Sequence, residues 1–98
     1  MPQHVMTVVD AQVDPAREAD LIEGFRKMVT DQKPDGFLES QLLKGQDGAW
    51  RIQTLWRDFD SLMTLRKGGT PPAAIALVES LGATHTHGAF SVQESYSV

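Results

Sequence analysis

The segment "THTHGAF" at residues 84–90 sets His85 and His87 one residue apart, and the only other histidine, His4, lies at the far end of the chain. In a strand, alternate side chains share a face, so both imidazoles should point the same way. Three readings suit that spacing. The pair can be the polar start of a strand. It can supply an acid or base to a pocket, because imidazole titrates near neutral pH. It can also be half of a zinc or iron site, with Asp10 or Asp14 as a third ligand. Strand polarity explains the pair most economically, a pocket base comes next and a metal last.

The two tryptophans, Trp50 and Trp56, bracket the segment "AWRIQTLW". Trp50 falls toward the histidine end of the molecule. With His85 and His87 it would make an apolar wall with polar handles, a composition common in ligand pockets. A tryptophan covering a hairpin is the plainer alternative. Trp56 falls near His4, Met6, Phe37 and Tyr96, as a core or dimer contact or as a stacking wall for an aromatic substrate. Thr7, Gln41 and Gln53 are polar strand residues that either line a cavity or make sheet-to-sheet contacts. In "RKGGTPP" the glycines can present N–H groups to an anion or form a lid, but a helix stop followed by a helix start explains every residue.

These residues must be positioned by the elements around them. "HVMTVVDAQV" reads as a strand over about 4–13. Both of its faces are fairly apolar (Val5, Thr7, Val9 and Ala11; Met6 and Val8), the pattern of a strand covered on both sides. Asp14 caps a helix that Pro15 begins. Ile22, Phe25, Met28 and Val29 follow at helical spacing with Leu21 flanking them, and the helix ends near Asp31, before the turn "KPDG".

"FLESQLL" and "AWRIQTLW" form two strands joined by the hairpin loop "KGQDG". Simple alternation puts Glu39 and Gln41 on one face with Phe37 and Leu43, and Ser40 on the other with Leu38 and Leu42. Asp58 or Asp60 caps a second helix over about 59–67. "GGTPP" interrupts it, Thr70 and Pro71 start the piece "AAIALVESL", and Gly82 ends it. The last strand runs over about 85–97. The order β-α-β-β-α-β is the split βαβ pattern of an α+β, ferredoxin-like fold: an antiparallel sheet in the order 4-1-3-2 with helices on one face. The other face is partly apolar, which predicts a homodimer with sheets facing each other.

Composition bounds the alternatives. The 98 residues fit one domain spanning 1–98, and the net charge is −4 with acids and bases interspersed. That excludes the basic face expected of a nucleic-acid binder. There is no cysteine, so disulfides and thiolate metal sites are excluded. The first residues do not read as a signal peptide and no stretch is long enough to span a bilayer, so a cytoplasmic location without membrane contact is expected.

The element order, the size, "DGFLESQLLKGQDGAWRIQTLWRDFDSL" and the final "FSVQESYSV" resemble the antibiotic biosynthesis monooxygenase domain. The most specific piece is "TLWRDFDSLMTL", in which a tryptophan ends strand three and a capping residue follows two positions later. The resemblance covers nearly the whole chain and implies a dimeric α+β barrel. It also implies a cofactor-independent monooxygenase, an oxidoreductase acting on a small aromatic phenol or quinol with no cofactor and no metal. Under that reading His85 and His87 are the catalytic candidates, and Trp50, Trp56, Thr7, Gln41 and Gln53 are the substrate-binding ones. The haem-degrading branch of the resemblance places a second tryptophan and an axial histidine where this chain has Leu65 and Ile75. Isoleucine offers iron no ligand. The alternative is a non-catalytic dimeric module that binds a small molecule or serves as an accessory protein. An open cavity with a histidine pointing in favours the enzyme, and a cavity filled by Trp50, Trp56 and leucines favours the module.

Overall fold

The computed structural model describes residues 3–31, 33–67 and 72–97. Four antiparallel strands form one sheet in the order β2-β3-β1-β4. They are β1 (Val5–Gln12), β2 (Phe37–Lys44), β3 (Ala49–Trp56) and β4 (Thr84–Ser91). Three α-helices, α1 (Glu18–Asp31), α2 (Phe59–Lys67) and α3 (Ala73–Ser80), complete the α+β ferredoxin-like order expected from the sequence.

Local chemistry sets the ends of the elements. The Asp14 carboxylate accepts the Ala16 N–H at 2.9 Å, and a short 3-10 turn, Pro15–Arg17, leads into α1. The Asp58 carboxylate accepts the Ser61 N–H at 2.8 Å and so caps α2, satisfying an amide that the helix cannot. The β2–β3 hairpin closes with Asp47 and Gly48 at φ values of 56° and 79°. Gly82 (φ 71°) ends α3. Gly68 to Pro71, including the expected helix start at Thr70 and Pro71, lie outside the described residues.

Register decides which residues share a face. β1 pairs with β3 as Val5↔Trp56, Thr7↔Thr54, Val9↔Ile52 and Ala11↔Trp50. It pairs with β4 as Val9↔His87 and Ala11↔His85. All of these side chains stand under the helices. One buried cluster joins Val9, Ala11, Val13, Trp50 and Ile52 to Leu21 and Val78. A smaller one joins Val5, Trp56 and Leu62, with Phe37 packed against them. Leu21, which the helical spacing placed at the margin of the apolar stripe, is fully buried. That burial contributes about 1.5–3 kcal/mol.

Two expectations change. β4 ends at Ser91 rather than near residue 97. Val5↔Ser91 is its last pair with β1, and after the Val92 N–H to His4 C=O bond no partner strand remains among the described residues; Tyr96 is 90% exposed. β2 carries a register shift between Phe37 and Glu39. It puts Phe37 on the same face as Ser40 and Leu42, where simple alternation put it with Glu39 and Gln41. The face away from the helices also carries a charge pair on its two central strands: Arg51 Nε and Nη2 donate to Asp10 at 2.7 and 3.2 Å. Around that pair the face is partly apolar, with Met6, Val8 and Leu55, and with Leu43 and Phe90 well exposed.

Candidate active-site cavity

The two ends of the helix-covered sheet face are packed differently. Over Trp50, α1 and α3 meet directly, and Gly24 permits the contact because a Cβ there would collide with Leu77. Over Trp56 the helices diverge and leave a cavity of about 400 Å³, a size suited to a small organic ligand. Its floor is Thr7, Val9, Thr54 and Trp56, with His87 and Gly88 along the β4 edge. Met28 and Val29 of α1, Leu62 and Leu65 of α2, and Ala73, Ala74 and Ile75 of α3 make the roof. The first turn of α3 offers only two alanines to it, Ala73 and Ala74. Where side chains are this small, close packing cannot be completed.

Few polar groups reach this apolar space. Trp56 Nε1 donates to Thr7 Oγ1 at 2.9 Å, so the indole is fixed and Thr7 serves as acceptor. The Thr7 hydroxyl's own contact to the Thr54 carbonyl is long, at 3.5 Å, too weak to claim its proton against a ligand. Thr54 Oγ1 and Ser40 Oγ share a hydrogen bond at 3.0 Å. The Phe37 ring stands edge-on to Trp56 with centroids 5.9 Å apart, an attractive arrangement of two aromatic quadrupoles. His87 is exposed and lines the cavity from its edge strand. Lys33 and Arg66 stand at the rim.

Of the candidates read from the sequence, Thr7, Trp56 and His87 are brought together around this cavity. The others lie elsewhere. His85 is on the same face but at the filled end, where Nε2 stands 3.7 Å from Glu79 and Nδ1 is buried without a hydrogen-bond partner among the described residues. The two imidazole centroids are 6.3 Å apart. Trp50 is core, its Nε1 donating to Glu18 at 3.0 Å, with Lys44 Nζ 5.6 Å from the ring centroid. Gln53 pairs with Val8 and Gln41 with Gln53, on the face away from the cavity, and Gln41 donates to Glu39 at 2.9 Å. Asp10 faces the same way, bound to Arg51, so it cannot join the histidines as a ligand. No group of three metal-ligating side chains occurs among the described residues.

Sequence reasoning missed the helical roof. Met28 and Val29 were visible as part of an apolar stripe. The contributions of Leu62, Leu65 and Ile75 depend on how α2 and α3 are set on the sheet, which no local pattern encodes. Beside the cavity, a surface groove holds Arg57, which bonds Asp35 at 3.1 and 3.4 Å and Ser61 at 2.9 Å. There the Ser61 N–H, with its hydroxyl and Arg57, holds the Asp58 carboxyl below the usual carboxylate range.

Comparison with known proteins agrees at the level of the fold. No family model matches the sequence, and no curated protein matches it. Among solved structures, a variant of SnoaB, a cofactor-independent oxygenase from Streptomyces nogalater, superposes with a TM-score of 0.70 at 22% identity over 95% of this chain and 96% of that one. A Deinococcus radiodurans protein proposed to be an antibiotic biosynthesis monooxygenase gives a TM-score of 0.71 at 15% identity, covering 96% and 97% of the two chains. The haem-degrading protein Rv3592 of Mycobacterium tuberculosis gives 0.65 at 20% identity over the whole of both. The chain therefore shares the α+β ferredoxin-like fold of these proteins. Among the described residues, no helix is long and apolar enough to cross a membrane.

Proposed function

We propose that this protein is a cofactor-independent monooxygenase for a small, electron-rich aromatic phenol or quinol, and that the cavity beside Trp56 is its active site. The observation that carries the reading is an open, mostly apolar cavity with an aromatic wall and one imidazole on its edge. A substrate ring would stack in the space bounded by Trp56 and Phe37. The Thr7 hydroxyl would meet an oxygen of the ring, and His87 would take the phenolic proton.

The chemistry balances without any further reagent. The phenolate passes one electron to dioxygen, giving a phenoxyl radical and superoxide. These combine at the ring carbon para to the oxygen, forming a C–O bond, and the protonated imidazole returns its proton to the peroxide. The same carbon then loses its hydrogen as a proton while the O–O bond breaks. The products are a quinone and water: one phenol and one dioxygen are consumed. An apolar cavity serves this route by keeping water from the radical pair.

The haem reading finds no support in the cavity. Ile75 and Leu65, at the positions where the resemblance would need a ligand and a second tryptophan, are part of its apolar roof. The partly apolar outer sheet face supports a homodimer packed sheet to sheet, which leaves the cavity on the far side of each sheet. The test is oxygen consumption by the purified protein with 1-naphthol and related phenols and hydroquinones, compared with the His87→Ala variant. Uptake that the variant loses supports the reading. Binding without uptake identifies a non-catalytic module instead, and neither binding nor uptake removes the cavity as an aromatic site.

A further inference from the structure

The rim of the cavity has a sign opposite to the protein as a whole. The chain carries a net charge of −4, yet the charged residues lining the cavity are Lys33 and Arg66, with no carboxylate among them. Neither cation forms an ion pair among the described residues, where the salt bridges involve Arg17, Lys44, Arg51, Arg57 and His85. The acids lining the neighbouring groove are Asp35, Asp58 and Asp60, and Arg57 engages the first two. The sequence that follows Arg66, Lys67 to Pro72, contains no acid either.

Arg66 lies in the last turn of α2, where the helix dipole favours a cation. That accounts for one positive charge and not for the second, which comes from the segment after α1. Two cations at the mouth of an apolar cavity, without ion-pair partners among the described residues, favour an anionic ligand over a neutral one. Low-dielectric walls also focus their field into the opening.

We infer that the ligand is an aromatic acid: a hydroxylated ring seated in the cavity that carries a carboxylate held at the rim by Lys33 and Arg66. This rests on the cavity being the aromatic site proposed above, and it names the substrate's second functional group. Arg66 can take a carboxylate in a two-point, planar contact, while Lys33 acts as a point charge. These are specificity residues rather than catalytic ones, since they meet the substrate away from the reacting carbon.

The experiment is calorimetric titration of the full chain, without oxygen, with two probes of the same ring system: 1-naphthol and 5-hydroxy-2-naphthoic acid. Both have a free carbon para to the hydroxyl. The acid should bind about tenfold tighter at low salt, with the advantage shrinking as ionic strength rises. The double variant Lys33→Gln/Arg66→Gln, altered at two exposed positions, should bring the two affinities together. If the acid binds no tighter than 1-naphthol, the inference fails while the aromatic site stands. If the acid's advantage survives in the double variant, the assignment to these two residues is wrong. If neither probe binds, the aromatic site itself is wrong and the inference falls with it.

Discussion

The two ends of the helix-covered sheet face each carry a tryptophan on β3 and a histidine on β4, and they are packed differently. At one end Ala11 of β1 lies between Trp50 and His85, whereas at the other Trp56 pairs with Val5 and His87 lies four residues along β1, beside Val9. Each indole N–H has one fixed acceptor, Glu18 for Trp50 and Thr7 for Trp56. What separates the ends is the cover. α1 and α3 close on Trp50 through Leu21 and Val78, which are fully buried. Near Trp56 the small residues Ala73 and Ala74 at the start of α3 leave space. Residue type alone did not decide which tryptophan and which histidine line the open cavity; the helices overhead did.

The comparison can be broken most sharply at the histidines. His87→Ala should lower the oxygen-uptake rate by roughly 10²–10⁴-fold with an unchanged unfolding midpoint, because His87 is exposed. His85→Ala should leave the rate near that of the unaltered protein. Equal losses from both would erase the distinction between the ends.

Stability should divide the ends in the opposite direction. Leu21→Ala, at the filled end, should cost about 2–5 kcal/mol in chemical denaturation. Leu65→Ala, on the cavity roof and 38% exposed, should cost under about 1 kcal/mol. A large loss from Leu65→Ala would mean that the roof is packed core. Thr7→Val should cost about 1–3 kcal/mol by stranding the Trp56 N–H, and it should move the tryptophan emission of the cavity end.

The smallest effect is set by pH. Asp58 titrates below its ordinary range when folded, so the stability it contributes is fully present above its unfolded pKa. It is lost as pH falls through the depressed folded value, in a window that opens near pH 4 and runs downward. Hydrogen exchange should therefore show α2 loosening on acidification before α1. Asp58→Asn should flatten that difference, and identical acid responses in the two helices would contradict it.

The element order, the strand order and the Asp14 cap were legible in the sequence because each rests on local chemistry, Asp14 before Pro15 and apolar alternation in β3, while the α2 cap was narrowed to Asp58 or Asp60 and the Ser61 N–H selects Asp58. The end of β4 was not legible. Its alternation continues past Ser91, but β1 begins at Val5 and there is nothing further to pair with. Side-chain parity was readable in β3, where Trp50, Ile52, Thr54 and Trp56 are all even-numbered and mark Gln53 as facing away. It was not readable in β2, where the shift at Phe37 reverses it. Thr7, Trp56 and His87 could be nominated one by one. That they meet around one cavity, with Lys33 and Arg66 at its rim, follows from how α2 and α3 are set across the sheet.

The most direct test of the account is a crystal structure of the protein soaked with 1-naphthol under anaerobic conditions. The account predicts the naphthalene ring beside Trp56 and Phe37 under α3, with its hydroxyl within hydrogen-bond reach of Thr7 or His87. A ligand seated at Trp50 and His85, or a Trp56 end closed by Leu65, Ile75 and Met28 with no room for a ring, would contradict it.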